Sequence, residues 1–172
     1  MEAIKSRKLT YYVLFYVLSI GLGIPCAAFG VVLLFSRSVA GEIFGIFFIL
    51  SAIALFGLNI VYRVYFYYSL SLDVDAVCKG DGRESGSYVA AAALSTLTLG
   101  FYNIYWTYKI GQRLHANAPR YGFKMVETGK DIALLDAFSF GYVSTYELLK
   151  NMNRIAKVYN QAGPVGVYGG VQ

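Results

Sequence analysis

The sequence predicts an all-α membrane protein with four apolar helical segments, at 9–35, 43–68, 88–108 and 132–149, followed by a basic amphipathic helix. Three observations predict it. Hydrophobic residues make up 57% of the chain and charged ones 15%, with a mean hydropathy of +0.51. A soluble domain is nearer about 45–50% apolar and about 25% charged. Two runs, Leu9–Phe35 and Ile43–Tyr62, carry no charge at all, and about twenty apolar residues suffice to cross the hydrocarbon core. Tyrosine dominates the aromatics, with 16 Tyr and 12 Phe against 1 Trp. Its apolar ring and wet tip suit the headgroup layer.

The first segment follows Lys5, Arg7 and Lys8, as a signal peptide would. It is far longer than a signal core of about 7–15 residues, so it reads as an uncleaved span. Pro25, after Gly21 and Gly23, predicts a kink near its middle. The second segment ends in "YRVYFYY", Tyr62 to Tyr68, where rings and a snorkelling guanidinium mark a bilayer exit. Asn59 within it is expected to bond a neighbouring helix.

The stretch "SLDVDAVCKGDGRESG" is the most soluble part. Glu84 stands at the twelfth position counted from Asp73, which invites a calcium-loop reading. Val77 stands where an oxygen ligand belongs and Cys78 where the turn needs Gly, so that reading fails. A turn is expected instead, with Ser85 or Ser87 as N-cap. Cys26 and Cys78 differ in expected depth, and no disulfide is expected.

The third segment opens on small residues, "VAAAALST", and closes on an aromatic cluster. Tyr102, Tyr105, Trp106 and Lys109 fall at i, i+3, i+4 and i+7 and form one stripe, as at a helix reaching water. Gly100 before the belt either admits a neighbouring helix or marks a break. The fourth segment is interrupted by Asp136 and Glu147. On a single helix, eleven positions apart is close to three turns, so both carboxylates would share a face. Beyond it, Leu149, Met152, Ile155 and Ala156 alternate with Lys150, Arg154 and Lys157, which predicts an amphipathic helix on an anionic lipid surface. The Gly-rich tail, 162–172, is expected to be disordered. The domain organisation is then an N-terminal hairpin (1–72), a polar connection (73–87), a second membrane domain (88–161) and the tail.

The net charge of +5 on such a chain reports orientation and attraction to anionic headgroups, and a nucleic-acid role is not expected. With four crossings, the Lys and Arg residues divide almost evenly between the two sides. With the third and fourth segments forming a shallow or re-entrant hairpin, only Arg37 lies outside. Both arrangements place the N- and C-termini in the cytoplasm.

Thr98, Leu99, Gly100, Tyr102, Tyr105 and Trp106 form a T-L-G-x-Y-x-x-Y-W signature. With "GDGRES" ahead of it, "GQRLHANAPRYG" behind it and "KNMNRIAKVYN" further on, the stretch from Gly80 to Gln161 resembles the bacterial integral-membrane family called domain of unknown function 4234. The first two spans lie outside the resemblance, and the fourth segment is shorter and more acidic than the family pattern. The resemblance implies a bacterial membrane location and paired membrane helices, and no activity.

The residues carry no Walker-A loop, nucleophile elbow or zincin helix. One His and two Cys at different depths make no zinc set, so neither a metal nor a cofactor is expected. The candidate functional polar residues are Asp136 and Glu147, as a proton or cation path or an interfacial pair; His115, as an interfacial group or pH sensor; and Arg120, as a headgroup-phosphate contact. The expected function is non-enzymatic: a membrane scaffold or accessory subunit associating with other membrane proteins or with itself. A small transporter or channel component using Asp136 and Glu147 is the alternative, and a lipid-headgroup enzyme a third.

Overall fold

The computed structural model describes Ile4 and residues 9–36, 38–139 and 141–166. These residues are helical without strands: α1 Leu9–Leu34, α2 Val39–Val77, α3 Tyr88–Leu97, α4 Phe101–Asn117, a 3-10 turn Ala118–Tyr121, α5 Gly129–Ser139 and α6 Tyr142–Gly166. The chain divides into two units, residues 10–65 and residues 1–9 with 66–172.

The first unit is a helical hairpin. Its turn is set by Ser38, whose Oγ accepts the Gly41 N–H at 3.1 Å and so caps α2. The two helices meet at glycines: a Cβ on Gly30 would lie 2.9 Å from the Gly45 carbonyl oxygen, and one on Gly45 equally close to that of Gly30. Asn59 Nδ2 donates to Ser19 Oγ at 2.6 Å, the interhelical bond its position predicts. Phe29 meets Phe48 edge-on. α1 continues through Pro25, which leaves the Gly21 carbonyl without its usual backbone donor. α2 is long and apolar enough to cross a membrane, and only 11% of its most apolar stretch is buried in the protein. It also runs past the predicted end at Tyr68 to Val77.

In the second unit the expected third and fourth segments are each two helices. Residues 88–108 break at Thr98–Gly100, where Leu99 has φ 51° and Gly100 φ 94°. Residues 132–149 break near Gly141, φ 85°. α3 has 10 residues and α5 has 11, each about half the length a crossing helix needs. Neither predicted segment is therefore a single helix of spanning length. Gly100 marks a break and not a close approach, since a Cβ there would meet nothing within 4 Å.

α4 and α5 run antiparallel at very close range. A Cβ on Gly129 would lie 2.7 Å from the Tyr108 carbonyl oxygen, and one on Gly111 3.1 Å from the Ile132 Cβ. Thr128 caps α5: its Oγ1 accepts the Asp131 N–H while Asp131 Oδ2 accepts the Thr128 N–H, a reciprocal cap. The core gathers Tyr67, Leu70 and Val74 of α2, Ile110 and Leu114 of α4, Ile132 of α5, and Leu148, Leu149, Met152 and Ile155 of α6. The apolar stripe of α6 is thus covered by protein and not by a lipid surface, which corrects the expectation for that helix. α6 also carries helical backbone through 162–166, where disorder was expected, while 167–172 lie outside the described residues. Near its C-terminal end α6 holds Ile4: Asn160 accepts the Ile4 N–H at 3.1 Å and donates to its carbonyl at 2.7 Å.

Candidate functional site

The most concentrated polar chemistry of the second unit lies where α2 hands over to its loop. Arg113 sits on α4 at the register Trp106, Ile110, Arg113, Leu114 and Asn117, which is the buried stripe of that helix, and it is itself 3% exposed. Each of its five N–H donors has a partner. Nε donates to Asp81 Oδ2 at 2.7 Å and Nη2 to Asp81 Oδ1 at 3.0 Å, a two-pronged pair. Nη1 donates to Asp75 Oδ1 and to Ser85 Oγ, the latter at 2.9 Å, and Nη2 also to the Arg83 carbonyl.

Asp81 is equally occupied. Besides the guanidinium it accepts the Arg83 N–H at 2.9 Å and Asn117 Nδ2 at 3.1 Å. The loop can wrap the guanidinium because Gly80 and Gly82 take left-handed φ values of 90° and 69°. Hydrogen bonding from Arg113 holds the Asp81 carboxyl down at about 2. Burial works against the charge on Arg113, but Asp81 and Asp75 outweigh it and raise its pKa. Cys78, just past α2, packs its Sγ 4.0 Å from the Arg113 carbonyl oxygen. Burial pushes its thiol up to about 12, although Arg113 pulls the other way. Such a thiol is inert. Tyr121 closes the far side by donating to the Val77 carbonyl.

This arrangement is a clasp. A guanidinium with every N–H committed cannot receive an anion without abandoning a carboxylate, so the cluster binds the 78–87 loop to α4. Asp75, one of the carboxylates a calcium loop would use, accepts Arg113 and the Ser85 N–H instead. Among the described residues no group of three or more potential metal ligands comes together.

A second buried network lies at the other end of the same unit. Asp136 accepts Asn103 Nδ2 at 3.0 Å and Ser144 Oγ at 2.6 Å. Asn103 in turn accepts the Tyr88 hydroxyl at 3.2 Å. Beside it the rings of Tyr67, Tyr88 and Trp106 pack together, and the Tyr67 hydroxyl bonds Thr145.

The sequence-predicted residues therefore separate. Asp136 lies on α5 and Glu147 on α6, with a turn between them, so the single-helix face expected to carry both carboxylates does not exist. Glu147 pairs with Lys150 at 2.7 Å. His115 is helical, in the last turn of α4, with Nδ1 3.1 Å from the Glu127 carbonyl oxygen. Arg120 is exposed in the 3-10 turn.

The signature residues divide by role. Thr98 Oγ1 donates to the Leu94 carbonyl at 2.8 Å and accepts the Tyr102 N–H at 3.0 Å, tying both sides of the break. Leu99 and Tyr105 are exposed, Tyr102 is half-buried, and Trp106 is buried in the ring cluster. The expected belt stripe thus loses Trp106 to the core. Arg113 was missed. Its signal was the stripe from Trp106 through Ile110 and Leu114 to Asn117, which places a cation on an otherwise buried face.

The clasp and the T-L-G break fall in one stretch of sequence, between α2 and the end of α4. No curated protein and no solved structure matches the chain. A family model covers residues 42–116. It reaches back into α2, which the signature-based resemblance left outside, and it ends before α5 and α6. That family is described as "Domain of unknown function (DUF4234)", the one the T-L-G-x-Y-x-x-Y-W signature resembles, and residues 42–116 match it.

Proposed function

We propose that the chain is a bacterial multi-pass membrane protein, with both termini in the cytoplasm, that serves as a non-enzymatic scaffold or accessory subunit. One observation carries the reading. The α1–α2 hairpin is closed on its inside by Gly30, Gly45 and the Asn59–Ser19 bond, while Val32, Ile43, Phe47, Ile53, Ile60 and Val61 stand exposed on its outside. A helical pair already closed by its own polar bond needs only an apolar surround, which lipid or the helices of a partner supplies. The second unit adds support, because its buried cation is engaged in holding the fold. Arg113 binds two carboxylates and a loop, and Glu147 binds Lys150.

The test is photo-crosslinking in native membranes, with a benzophenone amino acid at Phe47 and at Ile53. A discrete protein adduct at either position, absent with the probe at Glu84, is expected, and co-expressed tagged and untagged copies show whether the adduct is a second copy. Labelling of lipid alone at both positions refutes the scaffold. Sidedness is checked with single-cysteine variants at Lys79, Arg120 and Asn160, all expected to be protected from an impermeant thiol reagent in intact cells.

One observation favours a transport reading. Asp136 is buried and its described partners, Asn103 and Ser144, are neutral, as in an intramembrane proton site. Asp136→Asn combined with Glu147→Gln abolishes an ion flux if that reading holds. The same pair leaves the crosslinked partner unchanged if the scaffold reading holds.

A further inference from the structure

The two ends of the second unit differ in how many large apolar side chains they expose. At one end Gln112 Oε1 accepts the Gly129 N–H, and His115 meets the Glu127 carbonyl. This is also the end of the Arg113 clasp, and Val126 alone stands out there, beside Glu127. At the other end Asn103, near the start of α4, bonds Asp136, near the end of α5, and Asp136 bonds Ser144, near the start of α6. The α3–α4 break and the α5–α6 turn are therefore side by side. What they present is apolar: Leu97 is 80% exposed, Leu99 91%, Phe101 73% and Phe138 85%. Large apolar side chains this exposed, gathered at one end, mark an interaction surface.

The chemistry changes in the same order along both helices that leave this end. On α4 it runs from Phe101 through exposed Tyr105 to half-buried Lys109. On α6 it runs from Val143 through Tyr146 to Lys150, itself paired with Glu147. At about 1.5 Å per residue the ring lies about 5 Å and the cation about 10–12 Å from the tip. The hydrocarbon of one leaflet is about 15 Å thick, with rings favoured at its boundary and cations at the phosphates beyond. A protein partner would not require two helices to repeat one polarity gradient, whereas a bilayer imposes it on whatever enters.

Resting on the membrane reading above, we propose that the paired tips, Leu97–Leu99–Phe101 and Phe138, form one insertion edge that enters a single leaflet of an anionic bilayer without crossing it. Tyr105 and Tyr146 then lie at the headgroup boundary, and Lys109 and Lys150 at the lipid phosphates.

The test uses the full chain with Cys26→Ala and Cys78→Ala, reconstituted in phosphatidylcholine vesicles containing phosphatidylglycerol. A polarity-sensitive fluorophore is placed singly at Leu99→Cys, Phe138→Cys, Ile53→Cys and Glu84→Cys. Labels at 99 and 138 are expected to be quenched by a nitroxide high on the lipid acyl chain and shielded several-fold from aqueous iodide relative to 84. Open access of iodide to either label, with the label at 53 still quenched by lipid nitroxide, overturns the insertion edge and leaves the membrane reading standing. If the label at 53 also escapes lipid quenching, both fall. Shielding from iodide at 99 and 138 without lipid quenching means that protein covers the tips, and it overturns the proposal.

Discussion

Arg113→Met removes the guanidinium but keeps most of its stem volume, and its cost can be worked from the clasp. Asp81 titrates at about 2 against an ordinary 3.8, a difference worth about 2–3 kcal/mol at about 1.4 kcal/mol per pH unit. The Asp81 side chain is 11% exposed but stands in a surface loop with exposed neighbours, so solvent screens part of this. It keeps the Arg83 N–H and Asn117, so part of the stabilisation survives. Asp75 is 38% exposed, and its pairing adds no more than about 1 kcal/mol. Ser85 and the Arg83 carbonyl lose a charged donor as well. The total is about 3 kcal/mol, near the lower bound for stripping one partner from a buried ion pair.

Cys78 reports the loss directly, since it is fully buried beside Arg113. In a Cys26→Ala background, maleimide labelling of Cys78 in detergent micelles should accelerate about 100-fold, given about 1.4 kcal/mol per factor of ten. Arg113→Lys keeps the charge but loses the fork, and should fall between. Adding Asp81→Leu to Arg113→Met should slow labelling again, because the stranded carboxylate is gone. Unchanged labelling in Arg113→Met, or strictly additive effects in the double variant, refutes the clasp.

The same groups set a pH window for the second unit. The depressed Asp81 contributes stability that is present above about 3.8 and lost as pH falls toward about 2. The raised Cys78 thiol acts at the other limit: its contribution is complete below 9.0 and is lost as pH rises toward about 12. A denaturation midpoint followed against pH should drop at both ends, and Cys78→Ala should make the alkaline drop shallower. At the break, Gly100→Ala forces a Cβ onto φ 94° and should cost about 1–2 kcal/mol in chemical denaturation, although nothing crowds the site. In the hairpin, Gly30→Val should destabilise by at least about 1–3 kcal/mol through overpacking against Gly45 and Ile49. Gly21→Ala, where a Cβ meets nothing within 4 Å, should be neutral or slightly stabilising by thermal melt.

Helix was legible in the apolar runs, because uninterrupted apolar stretches and 3.6-residue stripes are properties of the chain itself, but not where α2 continues past Tyr68 to Val77 or α4 past Tyr108 to Asn117. What a stripe packs against is not. The period of Leu149, Met152, Ile155 and Ala156 announces an apolar face, and only the fold says that protein and not lipid covers it. The break at Thr98–Gly100 was half legible. Gly100 flagged it, but the decisive bonds run from the Thr98 hydroxyl to Leu94 and Tyr102, and Thr at that position is equally compatible with a continuous helix. Arg113 escaped for a different reason. Its partners Asp75 and Asp81 stand 38 and 32 positions away, and no local period reports a pairing at that range. Asn59 was read correctly because a lone amide in an apolar run has few alternatives to another helix.

Leu99 is where local strain and exposure meet. Its φ of 51° is a left-handed conformation that costs an ordinary side chain about 1–2 kcal/mol, and its side chain gains nothing in return inside the protein, being almost wholly exposed. Glycine would make the same turn with less strain. A strained, exposed leucine is accounted for if something outside the chain covers it, at about 2 kcal/mol for burying a leucine side chain. Leu99→Gly should therefore separate two quantities that ordinary core substitutions move together. Protection of Cys78 in micelles should hold or improve by up to about 1 kcal/mol as the strain is relieved. Lipid-nitroxide quenching of a label at Phe101→Cys in vesicles should fall, because the tip has lost a buried side chain. A loss of Cys78 protection would mean that the leucine packs within the fold, and the case for an inserting tip would lose its best residue.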